Sequence, residues 1–275
     1  MTLFVTGHAG FIGQNMVRHL HTLGIPYRTY DPRVDGLMQP DQLDLTDIRW
    51  VIHLGAITST TETDVKKVLD ANVTWSIQLF ELCEHAHINF QWASSASVYG
   101  GASDFRETTP CAPLNLYARS KWLLEQYVIM RKFRVIHQGF RYFNVYGDLE
   151  SHKGAQASPH TQFTQQAKTT GEIRMFDNSH TSFRDFVHVD QVVHIHELMW
   201  DSTESGIWNV GTGMSVSFAQ VAAQIAHDHD AQVITIPFPE HLVGVYQYHT
   251  CADVTKLNTT LAACGHATTH MGGDS

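Results

Sequence analysis

The 275-residue chain has few charged residues, few cysteines and no long hydrophobic run, and each scarcity excludes a class of protein. No run of lysine and arginine occurs, and the formal net charge is −9, which argues against nucleic-acid binding. No apolar stretch approaches the roughly 20 residues that a membrane-spanning helix needs. We therefore expect neither a nucleic acid nor a membrane as a partner.

The four cysteines show neither C-x-x-C spacing nor the spacing of a metal site. We expect them to be reduced thiols in a cytoplasmic protein, and no signal peptide precedes the first apolar segment. Histidine is abundant, with 19 residues. His194 and His196 would project to different sides of a helix, however, and residues 227–230 are typical of a solvated helix end. No metal site is predicted.

Short apolar segments alternate with helical segments along the first half of the chain. Strands are predicted at 3–6, 27–30, 51–54, 90–93 and 135–140, with a later strand at 206–210. Helices are predicted from the first glycine-rich turn to residue 23, over 64–85, after Pro113 and over 218–227. This alternation predicts an α/β fold with a Rossmann-like, doubly wound parallel sheet.

The regular alternation of strands and helices ends near Asn144. From there on, glycine, serine, histidine and proline become frequent and the predicted elements become shorter. We predict a dinucleotide-binding domain at 1–143, to which a late strand and helix near 186–212 return. Residues 144–185 and 213–275 are predicted to form a smaller substrate-binding lobe over the carboxyl edge of the sheet. The end of the chain, after Cys264, has no helical periodicity.

A glycine-rich turn, Gly7-His8-Ala9-Gly10-Phe11-Ile12-Gly13, follows the first strand and opens a helix. Its glycines permit a tight turn and a close approach of the backbone to a pyrophosphate, which the helix N-terminus then faces. The segment, including Phe11 and Ile12, predicts a dinucleotide-binding site.

The end of the second strand bears on the choice of cofactor. Asp31 can accept hydrogen bonds from an adenosine ribose diol, as in NAD. Arg33 lies two residues on and would attract the 2′-phosphate of NADP, so the pattern leaves NAD and NADP both open. Asp44 and Leu45 are placed where the next strand is expected to end, beside the adenine.

Tyr117 and Lys121 are four residues apart and share a helix face. A nearby ammonium favours the phenolate, so the tyrosine can exchange protons with an alcohol near neutral pH. Ser94 and Ser95 follow the preceding strand, and a hydroxyl there can bind the reacting oxygen. Downstream, Asn144 is expected to face the cleft, and Lys153 to reach the sugar from the side opposite Tyr117.

In this order, these motifs resemble the extended short-chain dehydrogenase/reductase family, and within it the ADP-L-glycero-D-manno-heptose 6-epimerases. The similar segments are GAITSTTE (55–62), SSASVYGG (94–101), PLNLY (113–117), NVYG (144–147) with SHKG (151–154), RDFV (184–187) and IPFP (236–239). The resemblance implies that Ser95, Tyr117 and Lys121 form the catalytic triad, and that Lys153 is a second acid/base. It implies substrate contacts from Ser59, Asn144, His152, Phe176, Arg184 and Tyr246.

The chain departs from the family pattern at four places. Pro32 and the short loop after Gly36 remove residues that help to hold NADP. The segment from Asp44 to Trp50 is too short for the helix that the family has there, and Val245 replaces an arginine. The family's C-terminal helix is not predicted beyond Cys264. These departures affect the prediction of which sugar is bound more than the prediction of the reaction type.

We interpret the chain as a nucleotide-sugar epimerase that oxidises a carbinol carbon transiently and returns the hydride from a tightly bound NADP or NAD. Other epimerases and reductases of the family remain alternatives. A dehydratase usually has Asp-Glu after the serine, where this chain has Ala96-Ser97. A non-enzymatic dinucleotide sensor would not need Ser95, Tyr117 and Lys121 together. A homo-oligomer is expected, since such folds commonly pair helices between subunits.

Overall fold

A computed structural model describes residues 1–239 and 247–266 of the protein. The strands are β1 (Thr2–Thr6), β2 (Tyr27–Tyr30), β3 (Ile48–His53), β4 (Asn89–Ser95), β5 (His137–Tyr142), β6 (Asn144–Tyr146), β7 (Glu172–Phe176), β8 (Phe183–His188), β9 (Gly206–Val210), β10 (Ser215–Ser217) and β11 (Gln232–Ile236). The helices are α1 (Phe11–Thr22), α2 (Pro32–Asp35), α3 (Val65–Leu69), α4 (Trp75–His85), α5 (Leu116–Met130), α6 (Pro159–Thr170), α7 (Val189–Leu198), α8 (Phe218–His229) and α9 (Thr255–Ala263).

A six-stranded sheet in the order β2-β1-β3-β4-β5-β9 forms the centre of the molecule. All its neighbouring strands run parallel, which confirms the predicted doubly wound sheet. Both faces are covered by helices, so the strands are apolar on both sides. Phe80 of α4 packs with Phe90 and Trp92 on one face, and Met16 of α1 packs with Val193 of α7 on the other.

The central sheet and its helices differ from the prediction at several places. Strand β5 begins and ends two residues later than the predicted strand over 135–140. The third strand begins at Ile48, three residues before the predicted start, because Ile48 and Trp50 are buried beside β1. The predicted helix over 64–85 is interrupted by one π-helical turn, Asp70–Thr74, between α3 and α4. π-helical turns of this kind are frequent at functional sites.

The second lobe contains two small sheets, β10-β8-β6 and β11-β7. Helices α6 and α8 pack against them around Ile173, Met175 and Phe186. Because β6 follows β5 after a single residue, this lobe stands at the carboxyl edge of the central sheet.

Helix α9 leaves the second lobe and packs on β9. Trp208 Nε1 donates to Thr260 Oγ1 at 3.1 Å, and Lys256 Nζ donates to the Ile207 carbonyl at 2.7 Å. Among the described residues, α9 therefore packs on the central sheet, with Leu257 and Leu261 in the same cluster as Trp208. The predicted coil of the last residues lies outside the described residues. In the part of the chain that the structure describes, no helix is both long and apolar enough to cross a membrane.

Candidate active site

The glycine-rich turn connects the carboxyl end of β1 to α1. Gly7 has a φ of 73°, which only glycine adopts without strain, and its N–H donates to the Tyr30 carbonyl at 2.8 Å. A β-carbon on Gly13 would lie 2.0 Å from the Gly7 carbonyl oxygen. Gly10 caps α1 without a side chain, so no side chain covers the first N–H groups of the helix. This cradle, which continues into Phe11 and Ile12, fits a pyrophosphate.

Asp31 follows β2 and is 2% exposed. Its carboxylate accepts hydrogen bonds from Arg33 Nε at 2.9 Å, from Arg33 Nη2 at 2.7 Å and from the Ala9 N–H at 3.3 Å. Burial raises the pKa of Asp31, but the hydrogen bonds from Arg33 outweigh burial and hold it below its usual value. Asp31 is thus an ionised acceptor at the edge of the cradle. The Arg33 side chain is 59% exposed, and its charge also faces this edge.

Asp44 and Leu45 do not stand at the end of a strand, so that positional prediction is wrong. They precede β3, because the chain forms no separate strand between β2 and β3. Asp44 is solvent-exposed and pairs with Arg28 at 2.6 Å, and Leu45 packs against the core. A contact of either residue with adenine stays a prediction.

Ser95, Tyr117 and Lys121 come together where β4 ends and α5 begins. Asn115 caps α5 by accepting from the Ala118 N–H at 2.9 Å, which fixes the first turn that carries Tyr117. The Lys121 ammonium is buried and donates to the Ala93 carbonyl at 2.8 Å. It lies 6.0 Å from the centre of the Tyr117 ring.

The protonation of this cluster differs from the sequence expectation. Burial raises the pKa of Tyr117, and a hydrogen bond with Ser95 opposes this effect. Lys121 was expected to depress the pKa of the tyrosine, but its ammonium is held by Ala93 instead. Burial also lowers the pKa of Lys121 to about 8, although the negative charge of Glu125 acts to raise it. In the free protein Tyr117 is therefore a phenol at neutral pH, and it can donate a proton.

Asn72 in the π-helical turn was not found by sequence reasoning. It is 1% exposed, accepts from the Ile57 N–H at 2.7 Å and donates to Ser120 Oγ at 2.9 Å. It thereby ties the loop after β3 to the helix that carries Tyr117 and Lys121. No spacing in the sequence marks a π-helical turn, so no sequence signal was available.

Lys153 lies on the segment between β6 and α6. Its ammonium pairs with the buried Glu150 at 2.8 Å and lies 5.2 Å from the Phe11 ring centre, beside the glycine-rich turn. Glu150 also accepts from the Ser158 N–H at 2.9 Å and from Thr161 Oγ1 at 2.7 Å. These bonds fix the segment, so that Lys153 is held at the dinucleotide cradle.

The same segment reaches the loop after β3, where Gln156 Nε2 donates to Ser59 Oγ at 2.9 Å. Ser59 therefore stands at the junction between the two lobes. His152 is exposed, and its Nδ1 is 2.9 Å from the Leu149 carbonyl. Its side chain is tied to the segment itself.

Three further predicted substrate contacts lie in the second lobe. Asn144 opens β6 and is half-buried. Arg184 is 8% exposed, stacks 5.4 Å from the Phe218 ring centre, and donates to the backbone carbonyls of Phe183 and Gln247. Phe176 meets Phe238 edge to face. Tyr246 lies outside the described residues.

A parallel sheet, a glycine-rich cradle after its first strand and a Ser-Tyr-Lys cluster at its carboxyl edge define an enzyme of the extended short-chain dehydrogenase/reductase type. A model of the NAD dependent epimerase/dehydratase family matches residues 3–211, and the chain belongs to that family. The predicted family is confirmed, and it is a family of NAD-dependent enzymes.

Several solved structures share the fold. The ADP-L-glycero-D-manno-heptose-6-epimerase of Helicobacter pylori is 24% identical, with a TM-score of 0.84 over 95% of this chain and 90% of that chain. The UDP-N-acetylglucosamine 4-epimerase of Methanobrevibacter ruminantium M1 is 22% identical, with a TM-score of 0.85 over 95% and 91%. MoeE5, solved in complex with UDP-glucose and NAD, is 26% identical, with a TM-score of 0.80 over 98% and 94%.

Proposed function

We propose that the protein is a nucleotide-sugar epimerase that inverts one carbinol carbon with no net oxidation. The observation that supports this proposal is the placement of a tyrosine and a lysine, both residue types that can transfer protons, on two separate elements. Tyr117 stands on α5 beside Ser95, while Lys153 stands on the segment before α6, beside Phe11. A one-directional dehydrogenase needs only the first group, whereas inversion presents the sugar both ways and benefits from the second.

The residues at the cradle fit a nicotinamide dinucleotide. The uncapped start of α1 and the side-chain-free Gly10 accommodate a pyrophosphate. Asp31 would accept from a ribose in place of the Arg33 side chain, which now donates to both of its oxygens. Arg33 adds a cation that suits NADP, so we propose that NADP is accepted besides NAD. When bound, the cofactor accepts a hydride and returns it.

The chain's own residues handle the protons. Tyr117, once it has lost its own proton, takes the proton of the carbinol oxygen as the carbon is oxidised, and it gives that proton back when the hydride returns. Ser95 holds the reacting oxygen through its hydroxyl. Lys121, fixed on the Ala93 carbonyl, supplies a positive charge below the tyrosine. Lys153 supplies or removes a proton when the opposite face of the sugar is presented.

We propose an ADP-glycero-manno-heptose, a precursor type in lipopolysaccharide synthesis, as the substrate. The supporting segments are STTE (59–62) and SHKG (151–154), which resemble the heptose 6-epimerases. Ser59 of the first segment accepts a hydrogen bond from Gln156, which lies two residues after the second segment, at the junction of the lobes. We further propose a cytoplasmic location and a homo-oligomer.

The function is tested by incubating the purified protein with ADP-heptose epimers, and separately with UDP-glucose, in D₂O. We expect interconversion of the heptose epimers without build-up of reduced cofactor and without deuterium at the inverted carbon. Net reduction or oxidation of the cofactor would identify a dehydrogenase or reductase, and loss of water a dehydratase. Deuterium at that carbon would mean that inversion proceeds by deprotonation.

Lys153→Met should slow inversion by roughly 100-fold or more, because it removes a general acid/base. Cofactor affinity should stay near that of the wild type, since the cradle is intact. Lys132→Met removes an exposed lysine and is the matched control. If the Lys153 variant inverted the sugar at a rate within threefold of the wild type, Lys153 would have no role in proton transfer and would serve only as an ion-pair partner of Glu150.

A further inference from the structure

Three metal-ligating side chains meet on the outer surface of the central domain, between α1 and α7. Glu197 Oε2 lies 2.8 Å from His19 Nε2 and 3.0 Å from His194 Nδ1. All three ligand atoms lie within 4.8 Å of one another. None of these residues belongs to the cofactor cradle or to the Ser-Tyr-Lys cluster.

The packing of the two helices fixes this cluster. Met16 and Leu20 of α1 share a core with Val193 of α7, which brings the outer faces of the helices side by side. His194 and Glu197 are three residues apart and therefore lie on one face of α7. Their side chains are 49% and 27% exposed, and that of His19 is 23% exposed. The cluster is thus half-buried and open to solvent on one side.

Two imidazoles and one carboxylate are a donor set that zinc favours, with water as the fourth ligand. Bonds of about 2.0–2.1 Å in a tetrahedron place neighbouring donors roughly 3.3 Å apart. The two observed contacts with Glu197 are a few tenths of an ångström shorter than that spacing. The two histidine nitrogens lie within 4.8 Å of each other. Side-chain rotations that bring all three donors to the tetrahedral spacing would admit an ion, and imidazole ligands disfavour magnesium and calcium.

We propose that His19, His194 and Glu197 bind one Zn²⁺ ion that links α1 to α7. The neighbouring cation Arg18 is engaged by Asp148 at 3.3 Å and by Asp190 at 3.1 Å, which offsets its repulsion of the ion. Because α1 begins at the glycine-rich turn, the ion would brace the helix that faces the cofactor. The site is independent of the proposed substrate and reaction.

The test is calorimetric titration of ZnCl₂ into the full chain, purified without a polyhistidine tag and stripped with EDTA. We expect a site of 1:1 stoichiometry whose affinity falls about tenfold or more in His19→Ala, in His194→Ala and in Glu197→Gln. His227→Ala removes an exposed histidine of α8 and should leave this affinity unchanged. Zinc should also raise the melting temperature of the wild type and not that of the His19→Ala/His194→Ala double variant.

Co²⁺ gives a second readout that does not depend on stability. The wild type should show the visible absorption bands of four-coordinate Co²⁺, and the double variant should lack them. Zinc isotherms that are the same in the wild type and the double variant would overturn the proposal. So would a wild type that takes up no zinc at micromolar concentration, since the cluster would then be two histidine–glutamate hydrogen bonds only.

Discussion

At the scale of single residues, the immediate neighbours of Tyr117 decide its chemistry. Sequence spacing placed Lys121 one helical turn away, which the structure bears out. The Lys121 ammonium, however, donates a hydrogen bond to the Ala93 carbonyl, whereas the Tyr117 side chain is hydrogen-bonded to Ser95. Burial thus keeps Tyr117 protonated in the free protein, as a proton donor to a carbonyl oxygen requires.

Tyr117→Phe should lower the turnover by roughly 100- to 10,000-fold, because it removes only the transferable proton. Cofactor binding should persist, since the cradle is on other elements. Tyr127→Phe is the matched control on the same helix, where the hydroxyl donates to Glu81 on the outer surface. Turnover of the Tyr117 variant within threefold of the wild type would remove this residue from the mechanism.

Arg33 and Asp31 set the preference between cofactors at the same scale. Arg33→Ala should weaken NADP binding and spare NAD, because only NADP carries a 2′-phosphate that the guanidinium can clasp. Binding titrations with both cofactors measure this difference, with the exposed Arg49→Ala as control. Equal loss of both affinities would show that Arg33 acts only by holding Asp31.

At the scale of elements, the turn from β1 into α1 tolerates almost no added atom. Gly13→Ala would push a methyl group against the Gly7 carbonyl, and neither group is a flexible side-chain end. We expect a loss of about 1–3 kcal/mol in stability and a large loss of cofactor affinity. Unfolding in urea and cofactor titration would measure the two effects.

Gly101→Ala is the control for this prediction. A β-carbon at Gly101 would meet no atom within 4 Å, and this glycine is not among those with positive φ. Its stability and cofactor affinity should match the wild type. If Gly13→Ala behaved like Gly101→Ala, the turn would have to be looser than its backbone contacts indicate.

At the scale of the whole molecule, two buried histidines make stability depend on pH. Burial lowers the pKa of His53 and of His196 to about 3. The unfolded chain takes up these protons below a pKa of about 6.5, whereas the folded chain does not, so stability falls as the pH drops from about 6.5 toward 3. Each histidine should contribute a loss of about 3 kcal/mol between pH 7 and pH 4.5.

Urea unfolding of the wild type and of His196→Gln at both pH values measures this effect. The variant should be less stable at pH 7, since His196 bonds to Tyr142 and Gln91. Its further loss on acidification should be smaller by about 3 kcal/mol. The exposed His227→Gln should keep the wild-type dependence. If His196→Gln lost as much unfolding free energy on acidification as the wild type, the acid sensitivity would have to come from other groups.

The sequence by itself determined the parallel sheet, the glycine cradle and the nearness of Tyr117 to Lys121. Each follows from local spacing: apolar runs that alternate with helices, glycines that permit one turn, and residues four apart on one helix. The strand over 206–210 was also predicted correctly, although it returns to the sheet from far along the chain, because most of its residues (GIWNV) are apolar or small.

Only the tertiary structure decided which side chains hold one another. The bond from Lys121 to Ala93, the bridge by Asn72 and the cluster of His19 with Glu197 depend on how separate elements pack together. The ion pair of Lys153 with Glu150 is local, but the placement of Lys153 beside Phe11 also depends on that packing. Most of these partners lie on separate elements, whose relative placement is set by core packing. No periodicity along the chain encodes that placement.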